Sequence, residues 1–463
     1  MGEEQGNMRL LRSGGLLAGA VLLVGCLVGH PVRAQNAICP MTIAGGQTGI
    51  FFDQHNSCTN GDKTGNVGAF SNTALASEAL GELSQSSTQD STRAAMGSIA
   101  ERRATEQQSC PAGFTPVGGT CEPAVPSVTP DQTPAGMSMP SPLLTFVQQN
   151  SPSAVDPARR MAVWTQAYGN YERLSGSASG PANGGFTSLA LSARSTTWNS
   201  GVLGGVDLTF RNVASGGDGL ITGVLVGYEY SHMSIKTSSI ASDSSIPNGS
   251  STMTAQLSGP TGGVYASYFN RGFSTDLAFK VEFLDLSTSF NDTLGFDYTG
   301  NTAVFGTRSF HGSGTTQLNN YVVIGNVNYR FPILANVWVE PTTGFQYTRS
   351  SFASDAAPLG LADGGLLRLQ GGTRVGVESS WNGLRMTTVL TGIVYDNVAV
   401  SGGVLVKGAD PLILSDHGKL NVEGTLALNF HHGNGVSSFL LVEVQGGEGL
   451  FGAGAQMGLR VAW

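Results

Sequence analysis

The sequence predicts an all-β chain: a transmembrane outer-membrane β-barrel of about twelve antiparallel strands, preceded by a small N-terminal region that is partly helical and partly disordered. Three observations carry this. Phe451, Ala453, Ala455, Met457, Leu459, Val461 and Trp463 alternate with Gly452, Gly454, Gln456, Gly458, Arg460 and Ala462. Successive side chains of a strand point to opposite faces, so this segment has one apolar face and one small or polar face. Similar runs recur from Met161 onward, and many reach the roughly ten residues that a tilted strand needs to cross a bilayer. Composition agrees: 12% of the 463 residues are charged and 65 are glycine, against about 25% charged in ordinary soluble domains.

The elements follow in order. Arg9 and Arg12 precede the apolar run Leu16 to Val28, and Pro31-Val32-Arg33-Ala34 closes it. This is the layout of an export signal cleaved between Ala34 and Gln35, which makes residues 1–34 a signal peptide. A rival reading takes Leu23-Val24-Gly25-Cys26 as a lipobox that places a lipid on Cys26. Residues 35–140 form a short exported region. Its Cys39, Cys58, Cys110 and Cys121 are even in number, so disulfides are the default, with three pairings possible. Cys110–Cys121 is favoured because it closes a Pro/Gly-rich loop, which leaves Cys39–Cys58. Within this region, Thr73 to Gln107 is broken only by Gly81 and Gly97 and carries a weak amphipathic pattern, one helix or two. Pro111 to Pro142 reads as extended. Residues 141–160 form a linker with one apolar side and helical potential.

Residues 161–463 make the barrel. Phe273, Thr275, Leu277, Phe279, Val281 and Phe283 alternate with Ser274, Asp276, Ala278, Lys280, Glu282 and Leu284. Strands begin near Val163, Trp198, Leu220, Gly262, Phe273, Asn319, Val337, Leu366, Leu384, Leu420, Ser437 and Phe451. Short turns at Asn270–Gly272, Phe331–Ala335, Ser380–Gly383 and His431–Gly435 alternate with long polar loops at Ser175–Ser195, Ser234–Gly259, Ser287–Gln317, Ser351–Gly364 and Val398–Gly418. If the apolar faces meet lipid, then Asp276, Lys280, Glu282, Arg330, Glu340, Arg385, Glu423 and Arg460 point into the lumen. A charge on the lipid face at the midplane costs about 2–4 kcal/mol. Their mixed signs suit bracing of the wall or contacts to a plug helix. Tyr168, Trp198, Tyr228, Tyr230, Tyr329, Tyr347 and Trp463 are candidates for the interfacial girdles.

From Met161 to Trp463 the chain resembles the translocator β-domain of type V autotransporters. The residues that carry this are Val163-Trp164-Thr165-Gln166-Ala167-Tyr168-Gly169, Gly204-Gly205-Val206-Asp207, Trp338-Val339-Glu340-Pro341 with Gly344 and Tyr347, and Gly458-Leu459-Arg460-Val461-Ala462-Trp463. The resemblance implies a twelve-stranded barrel that displays its own N-terminal segment. It also implies assembly by periplasmic chaperones and the barrel-assembly machinery, with the terminal strand (Phe451, Met457, Leu459, Val461, Trp463) as the signal that is read. The segment ahead of the barrel departs from the family pattern, being short, non-repetitive and cysteine-containing.

No catalytic constellation emerges, so the chain is read as a non-enzyme without a cofactor or metal. Gly447, Gly449, Gly452 and Gly454 lie at a hairpin with no helix after them, unlike a phosphate loop. His431 and His432 sit beside a turn. A net charge of -8 with no basic run gives nucleic-acid binding no support. Three functions follow as expectations: a barrel at the outer membrane of a Gram-negative cell that displays or translocates its N-terminal segment, a non-exporting plugged pore or structural barrel, and a surface-binding module anchored by the barrel.

Overall fold

The computed structural model describes residues 72–108, 114–117, 120–123, 159–182, 187–299, 302–402 and 418–463, apart from positions 216, 243, 245–247, 335, 360, 382–383 and 434 in the turns and loops. Cys39, Cys58, Cys110, Ala34, Gln35 and the linker up to residue 158 lie outside these. Cys121 falls on a short strand.

A 37-residue helix, α1 (Asn72–Gln108), comes first. It is continuous through both glycines. A small hairpin follows, β1 (Phe114–Val117) with β2 (Thr120–Pro123). The barrel then runs through β3 (Arg159–Ala182), β4 (Thr187–Arg211), β5 (Asp218–Ala241), β6 (Gly249–Asn270), β7 (Phe273–Thr299) and β8 (Thr302–Tyr329). A four-residue strand, β9 (Phe331–Leu334), pairs with the base of β10 (Val337–Phe352). The circuit ends with β11 (Gly364–Trp381), β12 (Leu384–Gly402), β13 (Asn421–Gly433), β14 (Val436–Gly446) and β15 (Leu450–Ala462). All pairings are antiparallel between sequence neighbours, and β15 closes on β3 from Leu450↔Leu174 to Ala462↔Ala162. Leaving β9 aside, twelve strands make a closed barrel. Closure pairs every wall strand on both sides through the level of the bilayer, as a lipid environment demands.

The two halves differ in height. Strands β3 to β8 run 22–28 residues, and β10 to β15 run 11–19. This corrects the loop expectations. Most of Ser175–Ser195, Ser234–Gly259 and Ser287–Gln317 is strand, not loop. The physical reason lies in the faces. In these stretches most outward residues are polar, such as Ser192, Arg194, Lys236, Thr252, Ser287 and Ser289, with Ile240 an exception, while Ile235, Met253, Leu257 and Phe290 turn inward. Alternation persists with its sense reversed, so a search for outward apolar residues passes over it. The expected turn Phe331–Ala335 likewise contains β9, and His431 and His432 lie on the end of β13 rather than in its turn.

Candidate functional site

Helix α1 fills the lumen from end to end. At 1.5 Å per residue it is about 56 Å long, well beyond the roughly 30 Å of a hydrocarbon core. Ala76, Ala79, Leu80 and Leu83 pack among Leu174, Met233, Met253, Leu284, Leu286, Phe290 and Leu318, at the end of the barrel where the strands extend. Ala94, Ala95, Met96 and Ile99 pack against Trp164, Leu203, Ile221, Tyr265, Phe269 and Ile324, toward the end with the short turns. The helix therefore has a fixed polarity. Its N-terminus lies at the extended mouth, and its C-terminus lies at the mouth where Met161 and Trp463 meet through paired backbone hydrogen bonds.

Room for a helix in this lumen comes from glycine. Trp164 lies opposite Gly205, and Tyr265 opposite Gly223, in register on the neighbouring strand. A Cβ at either glycine would collide with the facing ring. The rings therefore lie across the wall, leaving the axis to the helix.

Between the apolar ends the helix carries Ser84, Gln85, Thr88, Gln89, Asp90, Ser91 and Thr92, all buried. Thr88 and Ser91 donate to the Glu282 carboxylate at 2.6 and 3.0 Å. Lys280 bridges Glu282 at 2.8 Å and also pairs with Glu229. Asn170 donates to Asp90 at 2.6 Å. Arg93 pairs with Asp90 on its own helix and with Glu423 on β13. Lower down, Arg102 sits 4.0 Å over the Trp164 ring, donates to the Tyr265 hydroxyl at 2.8 Å and lies 3.6 Å from Asp207, which Arg460 also reaches at 3.1 Å. Arg103 is fully buried and is held by Asp276 and, at 3.0 Å, by Glu340. Glu340 also accepts from Arg330 and Arg374, each at 2.9 Å. A buried ion pair adds little net stability, but breaking one costs about 3–5 kcal/mol because a charge is left bare. The helix is thus tied to the wall by charge pairs that neither side can lose alone.

The outer surface decides the environment. On β7, Leu277, Phe279 and Phe283 are exposed on the outside while Asp276, Lys280 and Glu282 are buried within. Val224, Val226 and Tyr228 on β5, and Met457, Leu459 and Val461 on β15, continue the same outward apolar band. From Met161 to Tyr171 that band spans about 25 Å along the barrel axis, the height of a transmembrane barrel's apolar belt. The chain is a membrane-spanning β-barrel. Among the described residues no helix is long and apolar enough to cross a membrane, and the strands do the crossing.

No family model and no curated protein matches the chain. Among solved structures, the β domain of the Bordetella autotransporter BrkA is similar with a TM-score of 0.41 and 15% identity, covering 65% of this chain and 98% of that one. The transport unit of the Escherichia coli autotransporter AIDA-I gives 0.37 and 12%, with coverages of 65% and 90%. A Pseudomonas aeruginosa FadL homologue gives 0.34 and 9%, with 66% and 90%.

Of the residues singled out in the sequence, Asp276, Lys280, Glu282, Glu340, Glu423 and Arg460 are buried in the lumen and Arg330 is nearly so, 3.9 Å over the Trp338 ring. Arg385 keeps the parity of Thr387 and Val389 but is exposed at the turn end. Phe451, Met457, Leu459, Val461 and Trp463 all face outward. Tyr168 departs from the girdle expectation: it is buried inside, because even-numbered residues of β3 face the lumen. Trp198, Tyr228, Tyr230 and Tyr329 are exposed outside, and the Tyr171 ring lies tilted against Trp198 with centroids 4.7 Å apart. Sequence reasoning missed Asp207, Glu229, Arg374 and the helix residues Asp90, Arg93, Arg102 and Arg103. Strand parity alone marks Asp207, between Val206 and Leu208, and Glu229, between Tyr228 and Tyr230.

Proposed function

We propose that this chain is an autotransporter-type barrel of the Gram-negative outer membrane that displays its own N-terminal segment at the cell surface and holds that segment's trailing helix in the lumen. The observation that carries this is the polarity of α1. Short turns mark the periplasmic side of such barrels and extended strands the outer side. Residues ahead of Asn72 then emerge outside, while the C-terminal end of α1 and the start of β3 share the periplasmic mouth. The chain works by assembly and display, without turnover. Residues 1–34 direct export, with cleavage between Ala34 and Gln35. The periplasm oxidises Cys39, Cys58, Cys110 and Cys121. Periplasmic chaperones and the barrel-assembly machinery insert the barrel, reading its outward terminal-strand residues Phe451, Met457, Leu459, Val461 and Trp463.

A second reading, a plugged pore that exports nothing, is favoured by how completely the helix and its ion pairs occupy the lumen. Protease shaving of intact cells bearing a tag between Gly61 and Asn66 separates the two. Display expects loss of the tag while the barrel stays folded on a heat-modifiability gel. A tag cleaved only after the outer membrane is permeabilised supports the plugged pore and overturns display.

A further inference from the structure

Above the apolar band the barrel continues as a half-cylinder with two open edges. β10 stops pairing with β8 at Phe352↔Leu318, with a last backbone bond from Ala353 N–H to the Gln317 carbonyl at 2.9 Å. β8 continues as far as Thr302 at its other end, paired there with β7. Among the described residues no strand pairs with the other side of Thr302–Thr316. On the opposite flank, β15 leaves β3 at Leu450↔Leu174, so the far end of β3 is also an edge, about half as long. On β7 the outward residues at this height, Asp285, Ser287, Ser289 and Asn291, are polar and exposed. The extension therefore stands in water. A long flat strand edge in water is a template for further pairing unless something covers it.

The chain itself supplies a cover at that place. Helix α1 enters the lumen at this mouth, its first turns packed on Leu284, Leu286 and Phe290 of β7 and Leu318 of β8. Asn72, the first described residue, therefore lies at the mouth beside the extended wall. Residues 35–71 reach on the order of 120 Å when extended, against about 50 Å for the open edge. They include Met41-Thr42-Ile43 and Ile50-Phe51-Phe52, apolar and β-branched residues of the kind strands favour, and no proline after Pro40.

We propose that residues 35–71 dock along the Thr302–Thr316 edge of β8, adding backbone hydrogen bonds to it, so that the chain's own N-terminal segment completes the extension. The inference rests on the polarity of α1 within the barrel and holds whichever side of the membrane that mouth faces. Hydrogen exchange read by mass spectrometry, with the full chain at one barrel per lipid nanodisc, tests it. Amides of 302–316 are expected to exchange slowly in the full chain and about tenfold or more faster in a chain lacking 35–71. Synthetic peptide 35–71 added in trans should restore the protection, and a scrambled peptide should not. The full-length Ile43→Pro, Phe51→Pro double variant should show the same acceleration, because each proline removes a backbone donor. Heat modifiability confirms that each barrel is folded. Equal exchange with and without 35–71 overturns the proposal: slow in both means that the loop between β12 and β13 covers the edge, and fast in both means that it stays bare. Protection that appears only when two barrels share a disc assigns the edge to a second copy and also overturns it.

Discussion

The lower and upper barrel use the same alternation in opposite senses, and β7 shows both within one strand. Through Phe283 the large outward residues are Leu277, Phe279 and Phe283, and Asp276, Lys280 and Glu282 face inward. From Leu284 the large apolar residues Leu284, Leu286 and Phe290 face inward, with Thr288 and Asp292, and Asp285, Ser287, Ser289 and Asn291 face outward. Backbone geometry is continuous across the change. The solvent outside has switched from lipid to water, and the rule that apolar groups avoid water has turned the pattern over. The contents of the lumen follow suit. The upper helix is held by apolar packing, and the lower helix by apolar packing together with arginines on wall carboxylates.

The largest test of this contrast removes the helix. Deleting 72–108 strips Glu423 and Asp276 of their arginine partners, leaves Asp207 with Arg460 alone and empties the axis. Planar-bilayer recording should change from a nearly closed barrel to steady open steps, with a reversal potential that marks cation preference, since acidic side chains would then dominate the lining. An anion-preferring pore would contradict the pairing described. The two-solvent division is sharpened by a matched pair on one face of one strand. Phe279→Arg should destabilise the barrel by about 2–4 kcal/mol, read as a lower unfolding midpoint in urea, whereas Ser287→Arg, eight positions on, should stay within about 0.5 kcal/mol. Equal effects would remove the boundary at Leu284.

The smallest effect lies at the rim, in neither region. Asp218 accepts backbone N–H bonds from Val213, Ala214 and Ser215 at 2.7, 2.9 and 3.0 Å, and the Tyr268 hydroxyl at 3.0 Å. Desolvation pushes its carboxyl upward, but the donors outweigh it and hold it below the usual aspartate range. A depressed carboxyl contributes stability that is present above its unfolded value and is lost as pH falls through the folded one. Amide exchange in the β4–β5 turn should therefore stay slow at mildly acidic pH and speed up only below the ordinary aspartate range. Asp218→Asn should abolish that pH dependence.

Much of the lower barrel was legible because lipid imposes one simple contrast on every strand. Phe279 outside and Lys280 inside can be read from the letters alone. The upper strands were not legible on the same scale, since Met233 and Ile235 are apolar where the barrel is inside and Ser234 and Lys236 are polar where it is wet. Helix α1 was visible as an unbroken stretch, but its place was not. Matching Arg103 to both Asp276 and Glu340 needs the register of two walls and the rotation of the helix, and no local spacing encodes that. Tyr168 misled for a related reason: an aromatic suits a girdle or a lumen, and only its parity with Trp164 and Gln166 decides.

The mid-section of α1 has a consequence for the order of events. Ser84 to Thr92 offers no apolar stripe, and its hydroxyls compete for the backbone, as Ser84 and Thr92 do by donating to the carbonyls of Gly81 and Thr88, each at 2.8 Å. Such a stretch has little reason to be helical in water. Its donors and acceptors find partners on Glu282, Asn170 and Asn199, which face one another only once the wall has closed. The barrel is thus the mould and the helix the casting. This segment is unshaped while the strands zip together, and it sets last.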